Sequence, residues 1–222
     1  MAVKTKAAAD KQIVIPSPKI EVISIPIEGI TSLIIHAWSE KAIRQMLSKQ
    51  MKLPTTGKDA KDPDADFIEA RYIVKEGKRE WDGILCCAFK QAIVGACRQV
   101  DGFHMTTAQR CFFVEADGHC VKPIEFEGRL FNQTHDLIRI NGEPRMRMDM
   151  ARNDNGSADI RFRPEYFPWT ANLKIRFNSS VVSASQIANL VSIAGTSEGV
   201  GEQRPSAPKN RGGSNGMWRI AK

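Results

Sequence analysis

Between residues 20 and 35 the chain sets β-branched residues close together, Val22, Ile23, Ile25 and Ile27 ahead of a break at Glu28-Gly29, which predicts two strands or one bent strand. Ser39 stands where a helix cap belongs. Ile43, Met46, Leu47 and Met51 follow at helical spacing until Pro54, predicting a helix over Glu40 to Met51. Leu53 to Asp62 is polar and reads as a loop. Asp62-Pro63, a capping aspartate followed by proline at the first helical position, opens a short second helix carrying Phe67, Ala70 and Tyr72.

Cys86 to Val100 carries the clearest helical period, with Phe89, Ala92, Ile93, Ala96, Cys97 and Val100 on one buried face. Arg110 to Glu115 and Val121 to Glu127 read as paired strands joined through Asp117-Gly118. Trp169, Ala171, Leu173, Ile175 and Phe177 alternate with Thr170, Asn172, Lys174 and Arg176, the period-2 pattern of a half-buried strand. Ser183 or Ser185 opens a helix with Ile187, Leu190, Val191 and Ala194, and Gly195 is placed as its stop. Met217 to Ile220 reads as a final strand.

With the helices at 86–100 and 185–194 covering one sheet, the order is strand, helix, two strands, helix, strand. That is an α+β chain with a ferredoxin-like, RRM-type core. Residues 1–18, rich in Lys and Ala and ending in Pro16-Ser17-Pro18, are expected to form a mobile N-terminal arm. Residues 19–222 are expected to form one α+β domain. The early helices and the Arg-rich stretch 129–168 are insertions on the frame, and 199–216 is a Gly-rich loop.

A chain of 222 residues with 42% apolar and 26% charged residues can bury a core, which excludes disorder throughout. Lys and Arg exceed Asp and Glu by 32 to 25; the net charge of +7 and a pI near 9.3 favour polyanionic partners. Five cysteines, Cys86, Cys87, Cys97, Cys111 and Cys120, are an odd number with an adjacent pair, against a disulfide framework. Together with a start that lacks an apolar signal region, they predict a reducing cytoplasm, the host's if the chain is phage-encoded. No apolar run approaches the roughly 18 residues of a membrane span, so no membrane partner is expected.

Arg139 to Trp169 changes the picture most. It holds Arg139, Arg145, Arg147, Arg152, Arg161 and Arg163, followed by Tyr166, Phe167 and Trp169. Guanidinium groups fork onto phosphates, and aromatic rings stack on unpaired bases. On strands, Arg145 and Arg147 share one face with Met146 and Met148 on the other, and Arg161 and Arg163 repeat the arrangement around Phe162. Two basic faces would then line one channel, with Phe167 or Trp169 stacking on bases. A competing reading pairs these arginines with Glu143, Asp149, Asp154, Asp159 and Glu165 on a solvated surface or at a subunit contact. In the tail, Arg204, Lys209 and Arg211 accompany Gly201, Gly212, Gly213 and Gly216, where backbone N–H groups can approach a phosphate. The alternative for the tail is a flexible hairpin loop before the last strand.

Enzyme readings find less support. His36, His104, His119 and His135 are scattered, and no spacing marks a metal or cofactor site, so none is expected. Asp149, Asp154 and Asp159 with Glu125 or Glu127 could hold Mg²⁺ for phosphodiester cleavage, a reading ranked third. Gly57-Lys58 lacks the upstream glycine of a phosphate loop. His36 and Trp38 read either as a stacking site or as a buried anchor for the helix that follows.

The Gly-rich basic loop before a short C-terminal strand, the Gly83-to-Ala96 segment opening a small-residue helix, and the early strand-turn at Gly29 to Leu33 resemble the RAMP superfamily. That superfamily includes the RNA-binding backbone subunits of CRISPR effector complexes. The chain also resembles small proteins of tailed phages and prophages. The superfamily resemblance implies a modified ferredoxin-like domain, a head-to-tail oligomer on a single strand, and the Arg139-to-Arg163 insertion as a thumb-like clamp. Gly212-Gly213-Ser214-Asn215-Gly216 departs from the arginine-studded loop the family favours. The resulting expectation is a non-enzymatic, sequence-independent protein that binds single-stranded RNA or DNA and assembles into a repeating oligomer. The alternative is a structural or inhibitory protein-interaction module of phage type.

Overall fold

The computed structural model describes residues 16–54, 60–152, 158–208 and 212–222. The N-terminal arm expected over 1–18 therefore lies almost wholly outside the described residues, as do Lys209 and Arg211 of the tail.

One sheet carries the main core. Its strands are β1 (Ile20–Gly29), β5 (Phe112–Glu115), β10 (Thr170–Asn178) and β11 (Trp218–Ile220), in the spatial order β11-β1-β10-β5 with every neighbour antiparallel. The alternation in β10 sends Ala171, Leu173, Ile175 and Phe177 to one face and leaves Thr170, Asn172, Lys174 and Arg176 exposed on the other. Two helices cover the apolar face: α3 (Cys86–Ala96), continued by a 3₁₀ turn over Cys97–Gln99, and α5 (Ala184–Ser197). Phe89, Ala92 and Ile93 of α3 meet Ile187, Leu190 and Val191 of α5 over Ile25, Ile27, Leu173 and Ile175 in one continuous core. α5 starts with a capping box, Ser183 Oγ accepting from Gln186 N and Gln186 Oε1 accepting from Ser183 N.

The remaining elements form two smaller antiparallel sheets beside the first. One has the order β3-β4-β7-β6, from β3 (Tyr72–Glu76), β4 (Arg79–Leu85), β6 (Gly118–Phe126) and β7 (Arg129–Arg139). The other has the order β2-β9-β8, where β2 (Leu33–Ile34) leads into the hairpin of β8 (Pro144–Arg152) and β9 (Ala158–Tyr166). Two helices precede β3. α1 (Glu40–Gln50) is capped by Ser39, whose Oγ accepts from Ala42 N, and α2 (Pro63–Glu69) by Asp62, which accepts from Asp64 N and Ala65 N. A further short helix, α4 (Met105–Cys111), runs into β5.

Four sequence expectations are corrected. Tyr72 does not end a helix but opens β3 opposite Gly83, because Tyr72-Ile73-Val74 gains ladder bonds and burial against Trp81. The segments at 110–115 and 121–127 are not partners: β5 pairs with β10 and β6 pairs with β7, and Arg110 belongs to α4. Gly195 does not stop the last helix, which runs to Ser197; a Cβ there would lie 2.3 Å from Trp218 O, so the glycine admits the ring-bearing strand β11. Trp38 is no buried anchor, being 59% exposed at the mouth of a cleft shared with α1, α2 and β6.

The tail loop is closed on itself and fastened to β2 and the residue before it by backbone bonds. Glu202 N donates to Ile34 O at 2.9 Å, Gly216 N to Ser32 O at 2.7 Å, and Val200 N to Gly216 O at 3.0 Å. Gly216 has φ +66°, and an added Cβ would fall 1.7 Å from Val200 O, so no other residue fits this crossing. No helix among the described residues is long and apolar enough to cross a membrane.

Candidate nucleic-acid interface

The register of β8 and β9 places Arg147 opposite Arg163, Asp149 opposite Arg161 and Arg145 opposite Glu165, all on one face. Carboxylates are threaded among these cations. Arg147 bonds Asp149 at 2.9 Å and Glu165 at 2.9 Å; Arg163 bonds Asp149 at 2.6 Å and Glu202 at 3.3 Å; Arg161 approaches Asp159 at 3.5 Å. Two neighbouring guanidinium groups inside a protein repel unless anions stand between them, and Asp149 stands there. The face is thus an ion-pair network that clamps the hairpin onto the tail loop through Glu202.

Several expected contact residues are redirected by this packing. Arg163 is 3% exposed, its Nη2 tied to Asp149 and its Nη1 to Glu202 while its buried Nε is without a partner among the described residues, so it is a buried tie instead of a phosphate ligand. Trp169 is 1% exposed, its Nε1 donating to Thr31 O at 2.9 Å while its ring fills the space beside Gly29, so neither face is open to a base. Arg147 is held on both sides by carboxylates. Arg139, at the end of β7, and Arg145 remain exposed, and Phe167 is 46% exposed. Arg152 is placed by its backbone at the end of β8, opposite Ala158. The opposite face of the hairpin exposes Met146, Met148, Met150 and Ile160.

Asp149 is partly desolvated, which opposes its charge, but hydrogen bonds and attraction from Arg163 and Arg147 win and hold its pKa below 3.8. A depressed carboxylate pKa stabilises the fold at every pH above the ordinary value and loses that contribution as pH falls through the lower folded value. Acid unfolding followed by circular dichroism is therefore expected to begin at higher pH in Asp149→Asn than in the parent, with the gap in stability closing as pH falls through the lowered folded pKa of Asp149.

The cations that do face solvent together lie elsewhere, along a groove of about 590 Å³ between α3 and the loop 198–206. Ala92 and Gly95 of α3 and Gly199 and Gly201 of the loop belong to its lining; the bare Gly95 admits the Glu198 carboxylate, and Gly201 lets the loop close on Ile34 O. Lys90, Arg98 and Arg204 stand around it, with Gln91 and Gln109 as uncharged polar groups. Arg204 is oriented by donating Nη1 to Gly201 O at 2.9 Å. Lys90 donates to Gln109 O at 3.0 Å and lies 3.9 Å from the centre of the Phe113 ring, which is 45% exposed. The groove also holds two acids, Glu202, which is paired with Arg163, and Glu198, which is 8% exposed with its carboxylate against Gly95. His36 also lines it. Desolvation, with Arg163, Arg161 and Lys61 nearby and opposed by Glu202, lowers its pKa below 6.5, so the ring is neutral at pH 7.

Of the cations expected from sequence, Arg204 lies in this groove, with His36 and Gly201 also in its lining; Lys90 and Arg98 were missed, standing about two turns apart on α3 and the 3₁₀ turn that continues it. The cations of the open sheet face are each paired, Arg176 with Glu115, Lys174 with Asp117 and Arg219 with Glu28. No three His, Cys, Asp or Glu side chains converge as a metal-holding group among the described residues. Asp149 and Asp159 are engaged by arginine and lysine, and Asp154 lies outside the described residues.

The chain matches no protein-family model, and no curated protein sequence matches it significantly.

Proposed function

We propose that this protein binds single-stranded nucleic acid, without sequence preference, in the groove between α3 and the loop 198–206. The observation that carries the reading is the convergence of Lys90, Arg98 and Arg204 on one cleft. Its volume falls within the roughly 300–1,000 Å³ of ligand clefts. Cations spaced along a groove follow a phosphate backbone. A duplex is too wide for a cleft of this size, which favours single strands. A strand longer than one groove would carry several copies in a row, the repeating oligomer expected from sequence.

The fold supports the same reading. Counting only the sheet on which α3 and α5 pack, the chain order is β1, α3, β5, β10, α5, β11 and the strand order is β11-β1-β10-β5. Numbered by their own sequence, those strands read 4-1-3-2, the arrangement of a ferredoxin-like core with the other two sheets inserted. That order is compatible with the core that the RAMP resemblance implies. The exposed methionines of the β8–β9 hairpin favour a second reading, a protein partner on that face, because flexible thioether side chains adapt to varied apolar surfaces.

The reading is tested by fluorescence anisotropy with a labelled single-stranded oligonucleotide across a salt series. Three phosphate contacts predict a slope of log affinity against log salt of about −2, or about a 20-fold loss between 50 and 200 mM. Binding indifferent to salt would remove the groove's cations from the account.

A further inference from the structure

Strand β1 leaves part of one edge bare. On one side it pairs with β10 from Ile20 to Glu28. On the other, β11 pairs only with Ile27, Glu28 and Gly29, extended by Ala221 N donating to Pro26 O at 2.9 Å. That bond fixes the parity of the strand. A strand residue directs its N–H and C=O to the same side, so the even-numbered residues turn theirs away from β10. Ile20, Val22 and Ser24 therefore present three donors and three acceptors along an edge that no described strand covers. The side chains beside them are exposed, Ile20 at 57% and Val22 at 59%. Proline stands at both ends, at 18 and at 26, where a missing N–H ends any further pairing.

We propose that this edge is an interaction surface for a second copy of the chain, β1 pairing antiparallel with β1 about a two-fold axis, Val22 facing its counterpart. The strand is self-complementary in that register alone. Centred on Val22, the axis sets Ile20 against Ser24 and Val22 against Val22, so every outward donor meets an acceptor. Glu21 then lies opposite Ile23, apart from its own copy. Centred on Glu21, the axis brings two carboxylates face to face and opposes Ser24 to Pro18, which has no N–H. Centred on Ile23, it opposes Ile20 to Pro26, whose carbonyl Ala221 already occupies. An unpaired edge with exposed β-branched residues templates another strand, and a two-fold contact closes after two copies. The groove is not part of this contact, so dimer formation needs no nucleic acid.

Sedimentation of nuclease-treated full-length protein tests this, with Val22→Pro beside the parent. Residue 22 makes no ladder bond to β10 through its N–H, and Pro26 already occupies the same strand parity, so the substitution is expected to keep the fold. The parent sediments as a dimer at tens of micromolar; Val22→Pro sediments as a monomer, its dissociation constant raised at least tenfold, with an unchanged far-ultraviolet spectrum. In a Cys87→Ser background, oxidised Val22→Cys forms a covalent dimer and Glu21→Cys does not, a readout that stands even if the proline variant fails to fold. A monomeric parent would overturn the proposal and point to an edge covered by the chain's own segment 13–15 or by another protein. A dimer that survives Val22→Pro, or equal cross-linking at positions 21 and 22, would overturn it as well.

Discussion

Asp82→Ala is expected to lose about 3–5 kcal/mol of stability, read from urea unfolding, which is a large part of the roughly 5–15 kcal/mol that holds a domain of ordinary size folded. Asp82 is 7% exposed on β4. Its Oδ1 accepts from Arg71 Nε at 3.1 Å, and its Oδ2 accepts from Arg71 Nη2 at 2.9 Å and from the Tyr166 hydroxyl at 3.0 Å. Three parts of the chain meet at this carboxylate: the turn after α2, the inner strand β4 of one small sheet, and the end of β9 in the other. Removing it strands a guanidinium that is 17% exposed and a hydroxyl that is wholly buried, and an uncompensated buried charge costs more than the pair itself contributes. Burial first, and then the carboxylate, push the Tyr166 phenol well above its ordinary value, so it serves as a neutral donor throughout the accessible pH range. Asp82→Asn keeps an acceptor for Tyr166 and is expected to lose about half as much, the difference measuring the charge.

The largest expected effect on binding is at the groove. Lys90→Glu, Arg98→Glu and Arg204→Glu combined are expected to weaken single-strand affinity at least about 100-fold at low salt, because three attractive contacts become three repulsive ones in a cleft that focuses the field. Arg98 is exposed, so Arg98→Glu alone separates charge from packing. Arg145→Glu on the hairpin is expected to change affinity less than about threefold, since Arg145 stands away from the groove and opposite Glu165. Equal losses in the groove and hairpin variants would return the site to the Arg-rich insertion.

The parts of the fold that were legible in the sequence are those whose period is set by one buried face. The helical repeat of Phe89, Ala92, Ile93 and Ala96, the alternation from Ala171 to Phe177, and the Ser39 and Ser183 caps all lie in α3, β10, α1 and α5 as their local chemistry dictates. The hairpin of β3 and β4 was missed because its turn, Glu76-Gly77-Lys78-Arg79, is charged on both sides and masks the alternation of Tyr72, Val74 and Trp81. Which strands pair was legible only in part, since pairing of β5 with β10 joins residues about sixty apart and nothing local signals it.

The candidate site was less legible than the fold. The arginines of β8 and β9 do share a face, as their spacing requires, but whether they are free or neutralised depends on the residues opposite, and that is a matter of register. Trp169 was read as a stacking ring from its neighbours Phe167 and Tyr166, whereas a glycine at position 29 opens a slot that swallows it. Lys90 and Arg98 were hidden on the polar side of a helix whose apolar side alone declared itself, and their partner Arg204 lies more than a hundred residues away.

The most direct test of the central claim is photocross-linking of a single-stranded oligonucleotide carrying 5-iodouracil or 4-thiouracil, followed by mass-spectrometric mapping of the adducts. The account predicts adducts on peptides that contain α3 with Arg98 and on those of the loop 198–206, reduced by unlabelled single strand but not by duplex. Adducts confined to residues 139–167, or none above a non-binding control protein, would contradict it.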